Sequence, residues 1–447
     1  MRRDLIRFRS RRPAATLGVF LLAAVAGACN FDVANPNSPD PIGPNPTRAQ
    51  VQAAVTGILI AARADAADFV LDVGIIGREA YRFDGSDPRF TAELLTGTLD
   101  PGGNAFGGDH WAEEYRAIRG ANTLLGVIQS ASILTSAEIN GTIGVAQTLK
   151  AEEFVRVLVG HTQDSIPIAV QTDPIAPPAP FVSNAAAYAY VIALLDSAQT
   201  ALQAAGATFP FTLSSGFAGF DTPASFLKFN RALMARVEVY RGNWAAAQTA
   251  LDASFVDTLT VDLNLGVFHT FSTGSGDLTN PLLAAENYVH PALQADAQLQ
   301  AGGALDRRFL EKTTVRASNT VDGLTSALGW ALYSTTNAPV PIIRNEELIL
   351  LRADAFIGQN NLTAARDYLN YIRVHSGGLD PIPTPADQAS AVTALLYERR
   401  YSLMFEGGHR WIDIRRYGHL TDLPLDRPGD VRYSTFPIPT AEVQARQ

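Results

Sequence analysis

A single cysteine, Cys29, occurs among 447 residues. No disulfide can close within the chain, and no cysteine-based metal cluster can form. Positive charge is also scarce, with 35 Lys and Arg against 44 Asp and Glu. Six of the arginines and one acid lie in the first 28 residues, so the remainder carries 29 basic against 43 acidic side chains. A body this acidic excludes a general nucleic-acid binder, which needs a cationic footprint. Catalytic signatures are missing too. There is no His-Glu-x-x-His, no Gly-x-Ser-x-Gly and no phosphate loop ending Gly-Lys-Ser/Thr. Hydrophobic residues at 47% exclude wholesale disorder.

What is present begins with an address. Arginines crowd residues 2–12, an apolar run covers 14–25, and Ala26-Gly27-Ala28 leads into Cys29. A basic stretch, a short apolar stretch and small residues before a cleavage point make a secretory signal. The run is shorter than the roughly 20 residues a membrane span needs, and no other stretch reads as long and apolar enough. The lone cysteine directly after the small triplet is similar to a bacterial lipobox, with Ala26 where leucine is commoner. Pro36, Pro39, Pro41, Pro44 and Pro46 follow closely. Such spacing forbids helix and inner strand and predicts a semi-stiff tether. The expected organisation is therefore a lipoprotein signal over 1–28, a Pro-rich tether over 29–46 and a body over 47–447.

The body reads as mainly α. Thr47 predicts the cap of a helix running to about 70, Asp109 the cap of the next, residues 143–160 a third, and Asn184 the cap of a clear amphipath. A hairpin is expected over 224–253, turning at Gly242-Asn243. Its offsets recur 118 residues later: Trp244, Ala247 and Leu251 against Leu362, Ala365 and Leu369. Large-small-large spacing on paired helices is the logic of tetratricopeptide units. Residues 72–108 and 256–342 lack such periodicity and predict long irregular loops.

Several segments together resemble the SusD/RagB family of outer-membrane nutrient-binding lipoproteins. They are the lipobox with Asn30 to Asn37, Trp111 to Asn122, Lys150 to Arg156, Asp306 to Phe309 and Pro341 to Leu350. Tyr397 to Gly418 is the most specific, and Phe436-Pro437-Ile438-Pro439 with Glu442 closes the chain. The resemblance implies a tetratricopeptide-like helical superhelix carrying long irregular loops on one face. It implies a lipid-anchored protein on the exterior of the cell outer membrane. Such a protein binds an oligosaccharide or peptide, glycan more than peptide, and hands it to a TonB-dependent, SusC-like transporter. It implies no catalysis, no cofactor and no metal.

Two alternatives stand beside that expectation, a tetratricopeptide-type interaction scaffold at the cell envelope and a lipid-anchored hydrolase. The block Glu398-Arg399-Arg400, Glu406, Arg410, Asp413 and Arg415-Arg416 reads as an ion-pair network clamping two late helices, because arginine forks satisfy carboxylates in pairs. His409 reads as a junction residue. Cargo recognition is expected on the loops, from Tyr81, Arg82, Asp84, Phe106 and Tyr288 on one shared surface, with Trp330 as an outlier. Aromatic faces cover the apolar face of a sugar, and Arg and Asp bond its hydroxyls. Asn104 is a similar polar neighbour. Asp84, Ser86 and Asp87 lack the remaining ligands of a calcium loop.

Cys29 should carry lipid. Palmitate labelling of the full chain in a lipoprotein-competent bacterium is expected to mark the wild type and to be lost in Cys29→Ser; equal labelling of both would refute the anchor.

Overall fold

The computed structural model describes residues 42–447, apart from 103–104, 163–164 and 174. The signal segment, Cys29, the tether up to residue 41 and Asn104 lie outside the described residues. Residues 42–447 form one compact unit.

Helices α1 (Arg48–Ala64) and α2 (Ala66–Ile76) stand where one helix was expected. Thr47 does cap α1, in a reciprocal box with Gln50. The break falls at Asp65, whose carboxylate is taken by His110 at 2.8 Å and Arg156 at 3.3 Å. Helix α3 (Ala112–Ile128) is preceded by Trp111, not capped by Asp109. Helix α4 (Ser136–Gly160) starts earlier than expected because Thr135 and Glu138 form a second capping box. Ser183, one residue before Asn184, caps α5 (Asn184–Gln203). By length and composition α5 is apolar enough to cross a membrane, against the expectation for the body. In the fold it lays Val191, Leu195, Ala198 and Leu202 into the core between its neighbours.

The repeat logic is realised in α6 (Pro223–Tyr240) with α7 (Trp244–Asp252), and in α8 (Asn345–Gly358) with α9 (Leu362–His375). Contacts run in succession from α1 to α3 and on through α9, a tetratricopeptide-like superhelix. The two turns are the same structure. Asn243 N–H donates to Glu238 O and Asn361 N–H to Phe356 O, both at 2.9 Å. Gly242 and Asn360 occupy the same place with φ of 70° and 58°, a conformation glycine and asparagine tolerate best. Gly358 has a different task from ending the helix. A Cβ there would lie 2.2 Å from Cε2 of Trp244, so the turn tryptophan of one hairpin packs on the bare backbone of the next. Helices α10 (Gln388–Ser402) and α11 (His409–Arg416) complete the helical layer.

The long loop segments also carry short strands. Residues 80–82 and 266–344 contribute strands. β1 (Ala80–Arg82), β5 (Asn287–Val289), β7 (Leu324–Trp330) and β6 (Thr313–Val321) form an antiparallel sheet in that order. β2 (Ile166–Pro167) pairs with β3 (Phe181–Val182), and β4 (Gly266–His269) with β8 (Val340–Arg344). Asp322 and Gly323 both have positive φ, 57° and 80°, as the tight turn joining β6 to β7 requires. β1 and β5 escape a periodicity reading because they have three residues each and pair over a long separation, Tyr81 with Tyr288.

Two devices tie this sheet and the early helices to the late chain. Phe405, fully buried with φ of 56°, stacks on Trp330 at 4.3 Å, and its N–H reaches Glu79 Oε1 at 3.4 Å beside β1. Residues 423–446 then strap back over the early elements. Val431 N–H donates to Leu95 O at 2.7 Å and Phe436 N–H to Gly160 O at 3.0 Å. The Tyr433 hydroxyl donates toward the carbonyls of Glu93 and Thr96, at 2.9 and 2.7 Å.

Gly358→Ala should cost about 1–3 kcal/mol as an overpacked contact, read by urea denaturation, and the cost should fall below about 0.5 kcal/mol in a Trp244→Ala background if the two residues are coupled. A second expectation concerns Glu79, whose carboxyl burial pushes up to about 8. Its folded value lies above the unfolded one, so its stabilising contribution is complete at acid pH and is lost as pH rises through about 8. Glu79→Gln should remove that decline and exceed the wild type at alkaline pH by on the order of 5 kcal/mol; parallel pH–stability curves would contradict this.

Candidate functional site

The two segments expected to carry cargo do meet, and the sheet is where they do so. Tyr81 on β1 lies opposite Tyr288 on β5, and Tyr288 lies opposite Gly329 on β7. Partners in register share a face. The neighbouring row, Val289 and Leu328, points the other way into a cluster with Phe309, Tyr401 and Met404. One face thus rests on α10 and the other is aromatic. Phe83 stacks on Tyr81 at 5.4 Å and tilts against Tyr288 at 4.9 Å. Arg316 of β6 reaches across to lie 3.9 Å from the centre of the Tyr288 ring. Gly329 makes this passage possible, since a Cβ there would sit 2.9 Å from Arg316 Cδ.

Arg82 follows directly on β1. Its guanidinium pairs with Asp84 at 3.0 Å and covers Phe90 at 4.6 Å. Phe90 contacts Phe106 at 4.5 Å. Asp84 also accepts from the N–H and hydroxyl of Ser86, at 2.9 and 2.6 Å. Those bonds, with Arg82, hold its carboxyl well below the usual carboxylate range. Beside Arg82 a shallow cleft of about 300 Å³ is lined by Thr279, Asn280, Pro281, Leu283, Ala284 and Thr336. Leu283 is exposed and Asn280 is fixed by Ala338 O at 2.8 Å.

Tyr81, Arg82, Asp84, Phe106 and Tyr288 lie in one region, in unequal structural roles. Tyr81, Tyr288 and Phe106 are 2%, 6% and 8% exposed, so their ring faces are spent on packing. They pack the interior beside the cleft, and Arg82 and Asp84 are the members that reach solvent. Trp330 stands apart at the end of β7, stacked on Phe405. Phe90, Arg316, Asn280 and Thr336 join the region without having been singled out. Phe90 lies near Tyr81 in sequence; Arg316 is placed by strand register, and Asn280 and Thr336 by loops that meet beside Arg82.

The late charged block lies deep in the helical layer. Arg344 pairs with Glu406 at 2.7 Å and with Glu346, and Lys312 also meets Glu406 at 2.7 Å. Arg308 bridges Asp306 at 2.6 Å and Glu398 at 2.7 Å. Arg399 meets Asp413 at 2.5 Å, and Arg416 joins Asp413 to Asp354 at 3.1 and 3.2 Å. Desolvation opposes charge on Glu346 and Glu347, yet Arg344 and Arg236 pull both down to about 2. His409 is buried 3.9 Å from Glu347, and burial lowers its value to about 4. Among the described residues no group of three or more His, Cys, Asp or Glu is placed to hold a metal ion. This block joins helices, and its Glu406 and His409 also line a small cavity of about 70 Å³ with Glu152, Arg156, Arg236 and His269.

Residues 321–446 match the family model of the SusD family. A search of curated protein sequences gives no match. Among solved structures, a SusD superfamily protein from Bacteroides vulgatus aligns with a TM-score of 0.67 at 14% identity, covering 89% of this chain and 97% of that one. A SusD-like carbohydrate binding protein from Bacteroides fragilis aligns with a TM-score of 0.67 at 14% identity, covering 89% and 98%. A laminarin binding SusD-like protein aligns at 0.58 and 16%, covering 89% and 97%. The late block of the chain thus matches the SusD family model, and the described body has the fold of these SusD-like structures.

Proposed function

We propose that this chain is a lipid-anchored protein of the outer-membrane surface that captures an oligomeric nutrient, a glycan in preference to a peptide, and passes it to a TonB-dependent, SusC-like transporter. The observation that carries this reading is the sheet face at Arg82. There a shallow cleft is lined by a cation, Arg82, and by the amide and hydroxyl groups of Asn280, Thr279 and Thr336; Asp84 pairs with Arg82, and the buried rings of Tyr81 and Tyr288 pack on the sheet next to it. Sugars ask for that mixture, with polar groups to bond hydroxyls and apolar atoms to cover ring faces. The carbohydrate-binding and laminarin-binding relatives of the same fold support the glycan assignment. The lipobox-like Cys29 and the proline tether support the anchor.

Arg82 and Asp84 contact the cargo in this reading, with Phe90 and Leu283 at the edge and Tyr81, Tyr288 and Phe106 packed in the interior beside them. The mechanism is capture and release with no bond broken. Affinity should be modest, because the site must also give up its cargo.

Calorimetry with a panel of oligosaccharides and peptides should find an oligosaccharide that binds, and Arg82→Ala should weaken it by about ten- to a hundredfold, the worth of one charge-assisted hydrogen bond. Released reducing ends would instead favour a hydrolase. Loss on substitution of Gln52 and Thr56, in the groove along α1, with Arg82→Ala silent, would move the site to the helical scaffold.

A further inference from the structure

A second cavity, of about 380 Å³, shares no residue with the Arg82 cleft. Val159 of α4, Asn184 and Tyr188 of α5, Tyr240 of α6 and Arg415 and Arg416 of α11 contribute to its wall. The lining holds two guanidinium groups and no carboxylate. That is unexpected in a chain with 44 acids against 35 bases. Arg416 is neutralised by Asp354 and Asp413.

Arg415 is not neutralised. Among the described residues no carboxylate lies within ion-pair distance of it, whereas Arg399, Arg308 and Arg344 each have one or two. It lies flat on the Trp411 ring, 3.4 Å from the centroid. Its Nε donates to Trp411 O at 3.0 Å, Nη1 to Ser434 O at 2.9 Å and Thr162 Oγ1 at 3.3 Å, and Nη2 to Val159 O at 2.7 Å. Four of the five N–H groups of a guanidinium thus hold it in place on neutral acceptors, and one remains. Burial draws its proton affinity below the ordinary arginine value.

Two further features favour an anion with a ring attached. The 20-residue helix α5 opens on the cavity at Asn184, and its first turn carries no acid, which leaves the positive end of its dipole uncompensated. Tyr188 and Tyr240 wall the cavity with aromatic rings, and Thr162, Asn184 and Ser434 add polar groups. Among the described residues the Tyr188 hydroxyl has no hydrogen-bond partner.

We infer that this cavity binds the carboxylate of a hydroxylated ring, an acidic sugar of the hexuronate class, with Arg415 and the start of α5 receiving the carboxylate and Tyr188 and Tyr240 flanking the ring. The inference does not depend on the reading of the Arg82 cleft.

Calorimetry on the full chain with sodium glucuronate, glucose and N-acetyl-dialanine tests it. Glucuronate should bind, more weakly as salt rises, and glucose should bind at least tenfold more weakly. Arg415→Gln should abolish binding, but it also removes four structural hydrogen bonds. Asn184→Asp is the cleaner variant. An acid suits the first turn of a helix and adds a carboxylate to the lining that holds Arg415, at the loss of one bond from Asn184 Nδ2 to Thr162 O at 3.2 Å, so affinity should fall at least tenfold while the melting temperature changes by only a few degrees. Unchanged affinity in Asn184→Asp, equal binding of glucose, or no binding of glucuronate at millimolar concentration would overturn the inference. Tighter binding of N-acetyl-dialanine than of glucuronate would overturn the sugar assignment.

Discussion

The structure depends on arginines neutralised inside the late helical layer. Glu406 receives both Arg344 and Lys312, and Glu398 receives both Arg308 and Arg373. These pairs join β8, α10 and the segment 306–312 that leads into β6. Buried ion pairs are weak contributors to net stability, because desolvation offsets most of their attraction. Their force lies in what breaking one costs, about 3–5 kcal/mol when a partner charge is left alone. A lattice of this kind specifies which helices meet and in what register. It also fixes where the sheet starts, since Lys312 immediately precedes β6.

From that base the sheet is held by few, specific contacts. Phe405 takes a backbone conformation that costs a large residue energy, and it spends that strain on the Trp330 stack and the Glu79 bond. Arg316 crosses Gly329 to reach Tyr288. The site is thus rigid below and polar above. Side chains placed on such a support would need little ordering on meeting a ligand, which lowers the entropy a complex must overcome.

Much of the helical layer was legible in the residues. Thr47 as a cap, the amphipath beginning near Asn184 and the paired offsets from Trp244 and Leu362 all correspond to structure. Local chemistry sets those features, so local reading reaches them. Thr135 with Glu138 was an equally plain signal and extends α4 by seven residues beyond the expected start at 143. The break at Asp65 could not be read, because its cause lies on Arg156 and His110. The candidate site divides the same way. Tyr81, Arg82 and Asp84 stood out as a mixed aromatic and polar run, but only the pairing of β1 with β5 decides that Tyr81 and Tyr288 turn inward. The roles of Gly358 and Gly329 lie in what a distant side chain needs, and no window of neighbouring residues contains that information.

The strap formed by residues 423–446 sets an order of events in biosynthesis. Gly160, Leu95 and Glu93 wait for Phe436, Val431 and Tyr433, which emerge from the ribosome some 270 to 340 positions later. The packing of α2 waits as well, since Phe405 fills the space beside Gly74. The early helices therefore lack their final partners until almost the whole chain has been made. Contacts of such sequence separation slow folding, and here they also withhold a finished N-terminal half. Helices α1, α3, α4 and α5 pack chiefly on one another, so what waits for the end of synthesis is the seal over them.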